Sequence, residues 1–325
     1  MIKFFRQSYI IQYVAIALLA IALWIPSFMS GKPTMGLDSS VTPLFNLVDG
    51  WLGFSSIAQH IVAFFLLVVG TLIFNTILVK NQIVGKVSTL GAFVFVILMS
   101  LTPTQTNFYP FLLSSIFILL IINEVFDVYL LVNPELNLLK VGIFTALASM
   151  CYFSSIVLIL WVMVVLPIVK KGTLRLELIP LTGFLFTYFL YFVGQYLFGD
   201  FLKLMEGYKE YFLNVALSVK GFNIKSIILL GFLVIVSLLL LYGNANLEKA
   251  IAVRAKITLS VLMLVFSIVL LFLGGNVLMN GLVFIVLAIL FAYEFTYLNN
   301  TGWANLILTL LLVLVFANHY YFKVL

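Results

Sequence analysis

Asp38 and Asp49 are the carboxylates whose surroundings best suit chemistry. Asp38 lies in a Gly-, Ser- and Pro-rich stretch, Gly36-Leu37-Asp38-Ser39-Ser40-Val41-Thr42-Pro43, and Asp49 follows on the segment 44–52. A carboxylate held at a membrane surface can act as a general base toward a lipid-carried substrate, or bind a cation. The plainer alternative is that Asp38 caps a turn or helix and Asp49 faces water. Lys203 and Lys209 offer the opposite charge in a second polar stretch, where ammonium groups would attract a lipid phosphate or a pyrophosphate carrier. They can equally pair with Glu206 and Glu210 along a solvated helix face and extend their stems over apolar surface. Glu124 and Asp127 are three residues apart and share a helix face. Two close carboxylates push one pKa up and can carry a proton or a cation. Glu294, near the end of another apolar run, is a third such group. His60 and His319 sit at the ends of separate runs. A metal site needs several ligands together, so both histidines read as hydrogen-bonded helix-end residues and no metal site is expected.

The elements that must position these groups are membrane helices. Hydrophobic residues make up 64% of the 325, and charged residues only 9%. Charges cluster between apolar runs, as in Lys80-Asn81-Gln82-Ile83-Val84-Gly85-Lys86. A bilayer core needs about 20 apolar residues per helix, and only helices or closed barrels span it. The runs are continuous rather than alternating, which favours helices. The expected fold is an all-α polytopic transmembrane bundle of about eleven spans, within about ten to twelve, forming one integral membrane domain over 1–325. Lys3 and Arg6 precede the first run, 10–28, which lacks a small-x-small cleavage site. It reads as a retained span with a cytoplasmic N-terminus in a bacterial inner membrane. The net charge of +6 then reflects Lys and Arg in cytoplasmic loops, and no nucleic-acid partner is implied. Cys151 is the single cysteine, which excludes an intrachain disulfide and a cysteine metal site.

After span 9–29 comes a first external loop, 30–55. Its segment 44–52 carries Leu44, Leu47, Val48, Trp51 and Leu52 at helical spacing, so it should lie in the interface with Trp51 at headgroup depth. Spans 56–79, 88–101 and 111–129 follow, and Asn133-Pro134 breaks the next helix. The stretch 141–169 is too long for one upright span and short for two. Two short helices meeting near 149–155 would keep Lys140, Lys170 and Lys171 on one side, together with Arg6, Arg175 and Arg254; a single span would divide the arginines. Both arrangements remain open at this point. Pro167 and Pro180 flank the Lys170-Lys171 loop and read as helix boundaries. Span 179–198 leads to a second external loop, 199–225. There Phe201, Leu204, Met205, Tyr208, Phe212 and Val215 fall on one face of an interfacial helix. Spans 226–242, 257–273, 282–297 and 304–316 complete the chain. Asn75, Asn123 and Gln195 read as polar links between helices.

No phosphate-loop Gly-Lys-Ser/Thr, dinucleotide fingerprint, His-Glu-x-x-His or Gly-x-Ser-x-Gly occurs, so nucleotide and serine hydrolysis by those motifs are not indicated. No cofactor is indicated either.

A first span, an external loop with Asp38 and an interfacial helix, then short paired spans: this layout resembles the multi-span, lipid-carrier-dependent glycosyltransferases of the GT-C class. The stretches Ile73-Phe74-Asn75-Thr76-Ile77-Leu78-Val79-Lys80, Met99-Ser100-Leu101-Thr102-Pro103 and Val141–Tyr152 are similar to an uncharacterised family of polytopic inner-membrane proteins of Bacteroidota. The first resemblance implies a transferase or polymerase acting on lipid-linked glycan for the cell envelope. Asp38 would match the acidic residue of its first external loop, with Asp49 the second candidate, and a polyprenyl-phosphate carrier would be the partner beside membrane lipids. Two other readings stand beside it. One is a non-catalytic subunit or scaffold of an envelope assembly or secretion complex, partnered by other envelope proteins. The other is a proton-coupled transporter or lipid flippase using Glu124, Asp127 or Glu294.

Overall fold

Inside a bilayer each backbone amide must find its partner within its own segment, and the apolar runs accordingly fold as helices. The structure, a computed structural model, describes residues 1–30, 42–52, 55–85, 88–101, 106–129, 131–169, 172–199, 201–215, 224–243, 251–273, 281–298 and 301–322. Among these residues there are helices and no strand. In chain order they are α1 (Ile2–Phe5), α2 (Ile10–Ser30), α3 (Pro43–Leu52), α4 (Ser56–Lys80), α5 (Leu90–Met99), α6 (Pro110–Val128), α7 (Glu135–Cys151), α8 (Val157–Ile168), α9 (Leu174–Phe198), α10 (Phe201–Val215), α11 (Ile224–Gly243), α12 (Ile251–Leu273), α13 (Leu282–Tyr297) and α14 (Thr301–Ala317). A short 3-10 turn, Phe153–Ile156, joins α7 to α8, and a π-helical turn, Asn318–Phe322, follows α14.

Among the described residues, six segments are long and apolar enough to cross a membrane: Ile10–Met29, Ser56–Lys80, Pro110–Val128, Leu174–Phe198, Ile251–Ile268 and Gly302–Tyr320. The chain therefore has the make-up of a multi-pass helical membrane protein. The count of about eleven spans expected from sequence depends on shorter helices as well, among them α5, α8, α11 and α13.

Side-chain contacts define two ends of the bundle. At one end Lys80 closes α4 beside Asp127 of α6, Lys140 of α7 approaches Glu124, and Arg175 of α9 pairs with Glu135 of α7. Arg6 donates from Nη2 to the carbonyls of Phe295 (2.8 Å) and Leu298 (3.3 Å), capping α13 with a cation at its negative pole. We call this the basic end. At the far end Ser27 of α2 donates to the Thr106 carbonyl, His60 of α4 meets Asn107, and Ser149 of α7 meets Tyr188 of α9.

The stretch 141–169 is a pair of helices. Tyr152 breaks the helix with extended backbone (φ −140°, ψ 103°). Successive contacts along α7 and α9 then fix the direction of α8. Glu135 meets Arg175, Gly142 meets Pro180 and Phe184, and Ser149 meets Tyr188 at 2.8 Å. The pairings advance together, so α7 and α9 run parallel and α8 must bring the chain back between them. Pro180 lies inside α9, which starts earlier at Leu174; the Thr173 hydroxyl accepts from the Leu176 N–H to cap it. The expectation of a helix boundary at Pro180 is thus corrected. Pro180 is the seventh residue of the helix, and the ladder already runs from the Glu177 N–H to the Thr173 carbonyl, so the proline costs α9 the bond to the Leu176 carbonyl without ending the helix.

The centre is held by two short helices. Every residue of α5 is buried, and α13 is buried from Leu282 to Phe295. Ten residues of α5 rise about 15 Å, half of a ~30 Å hydrocarbon core. Its terminal carbonyls therefore need partners inside the bundle. His319 donates from Nε2 to Ser100 O at 2.7 Å, and Asn318 donates to Leu101 O at 3.1 Å. The Trp24 indole N–H reaches the Ser100 hydroxyl at 3.1 Å. His319 thus caps α5 from another part of the chain; the sequence suggested only a hydrogen-bonded residue at the end of its own span.

Candidate functional site

At the far end, two amphipathic helices rest on one platform. In α3, Phe45 is buried and stacks on Phe108 with ring centres 5.0 Å apart. Trp51 on the opposite face is 81% exposed. Leu47 is exposed with Trp51, while Val48 and Leu52 pack inward. The face seen in sequence is thus divided between protein and surroundings. Leu44 lies against Ala146, Met150 and Tyr188 of α7 and α9. On the same end, Phe201 and Tyr208 of α10 meet Phe192 of α9 edge-on, and Tyr208 also meets Phe153. The segments from the two loops singled out in the sequence therefore converge on the far end of α7 and α9.

Asp49 is partly buried and accepts a 2.8 Å hydrogen bond from Gln59 Nε2 at the start of α4. That bond orients the carboxylate and leaves its second oxygen for another partner. The neighbouring His60 gives its Nδ1 proton to the Ser56 carbonyl (2.7 Å) and turns Nε2 toward Asn107 (3.1 Å). Lys209 is exposed on α10. The Tyr208 hydroxyl is buried and has no hydrogen-bond partner among the described residues. Burial, with Tyr188 and Tyr191 nearby, pushes its pKa upward, so the phenol keeps its proton. Asp38 and the side chain of Lys203 lie outside the described residues.

At the basic end, Glu124 and Asp127 do share a face of α6, yet each has its own partner. Asp127 is 2.6 Å from Lys80, whose ammonium also donates to Asn123. Glu124 accepts from Asn137 Nδ2 at 2.7 Å, with Lys140 at 3.9 Å. Lys256 of α12, 3% exposed, lies within electrostatic reach of Asp127 and Lys80. Sequence reasoning missed it, because it sits between Arg254 and an apolar run and reads as another loop cation. Glu294 is fully buried in the last turn but one of α13 and accepts from the Ser237 hydroxyl of α11 at 3.3 Å. Among the described residues, no cluster of His, Cys, Asp and Glu could hold a metal ion.

Neither a protein-family model, nor a curated protein, nor a solved structure matches this chain.

Proposed function

We propose that this is a polytopic protein of the bacterial inner membrane that acts on lipid-linked glycan, in the manner of GT-C class glycosyltransferases. The observation that carries the reading is the convergence of α3 and α10 on the far end of α7 and α9. It puts a hydrogen-bonded carboxylate, aromatic surface and a surface lysine at the same end of the bundle. In this reading the basic end faces the cytoplasm, as the gathering of Arg6, Lys80, Lys140, Arg175 and Lys256 there would require. The shorter helices complete about eleven crossings. Asp38 or Asp49 serves as general base toward the acceptor hydroxyl. Lys203 and Lys209 hold the carrier phosphate, and the aromatic rim of Phe192, Phe201 and Tyr208 receives the first part of the polyprenyl chain.

The test is complementation. The gene is deleted, envelope glycan is profiled, and Asp38→Asn, Asp49→Asn and Lys209→Ala variants are reintroduced at matched expression. Loss of one acidic residue should reproduce the deletion phenotype while leaving the protein folded. If all three variants restore the glycan fully, the transferase reading is wrong. A second reading, a non-catalytic subunit of an envelope complex, is favoured by the filled apolar centre around α5 and α13. It predicts full complementation together with a stable partner recovered in mild detergent.

A further inference from the structure

At the basic end a cavity of about 410 Å³ opens between the start of α2, the end of α4 and the approach to α5. Ser8, Tyr13, Asn75, Lys80 and Ser88 line it. The hydrogen bonds of these residues show what the cavity offers a ligand. Asn75 is fully used: its Nδ2 donates to the Ser88 carbonyl (3.2 Å) and to Tyr13 Oη (3.5 Å), and its Oδ1 accepts from the Ala92 N–H (3.2 Å). Ser88 donates to the Phe5 carbonyl and accepts from the Leu90 N–H. The Ser8 hydroxyl donates to Tyr13 Oη at 3.5 Å. Tyr13 thus accepts two long bonds, and its own proton is committed to no described residue. Lys80 gives one proton to Asp127 and one to Asn123, and an ammonium has a third. The uncommitted groups are therefore two donors, a phenol O–H and an ammonium N–H. The local charge is also positive, with Lys80 and Lys256 set against Asp127.

We propose that this cavity binds a phosphate group, held by Lys80 Nζ and Tyr13 Oη. A phosphate oxygen accepts from both donors at once, and charge-assisted bonds of this kind are the stronger class. A neutral ligand would leave the excess charge uncompensated, and a cation would be repelled by it. Two sources carry this chemistry: the headgroup of an anionic phospholipid in the adjacent leaflet, and a soluble phosphate. The cavity lies at the end opposite the α3–α10 rim, so the proposal stands apart from the transferase reading.

The intact protein, purified in mild detergent, is titrated in one arm with phosphatidylglycerol and read by native mass spectrometry. In the other arm it is titrated with inorganic phosphate and read by thermal shift. Tyr13→Phe removes one donor and keeps the ring, and Lys80→Met removes the charge. Each should weaken binding about tenfold in the arm that reports the true source. Asp127→Asn releases Lys80 from its carboxylate and should tighten binding several-fold, roughly the reverse of the other two. A purely structural role for these residues would not produce that inversion. Lipid binding that follows this order assigns the site to a headgroup; phosphate binding that follows it assigns the site to a soluble ligand. If neither probe binds, or if binding ignores Tyr13→Phe and Asp127→Asn in folded protein, the proposal is overturned.

Discussion

The α7–α9 pair and the α4–α5 pair solve the same problem with different emphasis. Lipid tails are as apolar as leucine, so helices in a membrane gain little from hiding apolar surface against each other. They must gain from close packing or from hydrogen bonds. The α7–α9 pair packs by lacking side chains. Gly142 lies against the backbone of Pro180 and Phe184, and a Cβ on Gly183 would stand 2.7 Å from the Leu139 carbonyl. The α4–α5 pair is tied by one polar side chain, Asn75, which reaches across to the Ala92 N–H and the Ser88 carbonyl. The difference teaches where each pair is vulnerable. The first is most vulnerable to an added atom at its glycines and the second to a lost one at Asn75, although Gly91 of α5 also packs closely on Leu78 of α4.

The largest expected effect breaks the first pair. Gly142→Leu would drive the two backbones apart and should cost about 3 kcal/mol, the upper range for overpacking. Gly194 of the same α9 has open space where a Cβ would sit, so Gly194→Leu should change stability by only about 0.5 kcal/mol. Thermal unfolding of both variants in the same detergent checks the contrast; equal losses would mean that the glycine contact does not hold the pair. The next effect breaks the second pair. Asn75→Leu strands a buried N–H in the first turn of α5 and should cost about 2 kcal/mol. Hydrogen exchange should then quicken at Ala92 and stay unchanged along α7 and α9. If protection is lost equally in both pairs, they are one cooperative unit and the comparison fails.

Much of this frame was legible in the sequence, for stated physical reasons. Apolar runs bounded by charges mark helices, Pro134 marks the start of α7, and the amphipathic spacing of 44–52 and 201–215 marks α3 and α10. Asn75 was legible as a polar link, but its role was not. It acts as a cap supplied from another helix, and only the antiparallel approach of α4 to α5 reveals that. Gln195 was expected to join helices, yet it lies one turn from Tyr191 on the same helix and contacts it there. Pro180 misled because a proline inside a membrane helix costs one ladder bond without necessarily ending the helix. Glu124 and Asp127 were correctly placed on one face. Their separate partners, Asn137 and Lys140 for Glu124 and Lys80 for Asp127, come from α7 and α4, whose registers no local pattern encodes. The candidate site was legible mainly as composition: the sequence names two polar loops, and the fold alone brings α3 and α10 onto one platform.

The smallest expected effect sharpens the comparison at the turn that delivers α5 to α4. After α4, the Ile83 N–H bonds to the Leu78 carbonyl and the Gln82 N–H to the Val79 carbonyl. This is the Schellman closure, which places the intervening residue in the left-handed region. Gln82 occupies that position at φ 56°, where a residue with a Cβ is strained and glycine is not. Its side chain is exposed, so a substitution there removes no packing. Gln82→Gly should therefore stabilise the protein by about 0.5–1 kcal/mol, the relief of strain being partly offset by the greater freedom of glycine in the unfolded chain. Gln82→Val should destabilise it, because a β-branched residue resists this backbone. Unfolding measurements on the two variants should move in opposite directions from the parent. Combined with Asn75→Leu, the glycine variant should recover part of the lost stability, because the turn and the cap both act on the start of α5. Combined with Gly142→Leu, it should only add its own small gain. If the two double variants show the same coupling, the pairs are not held independently.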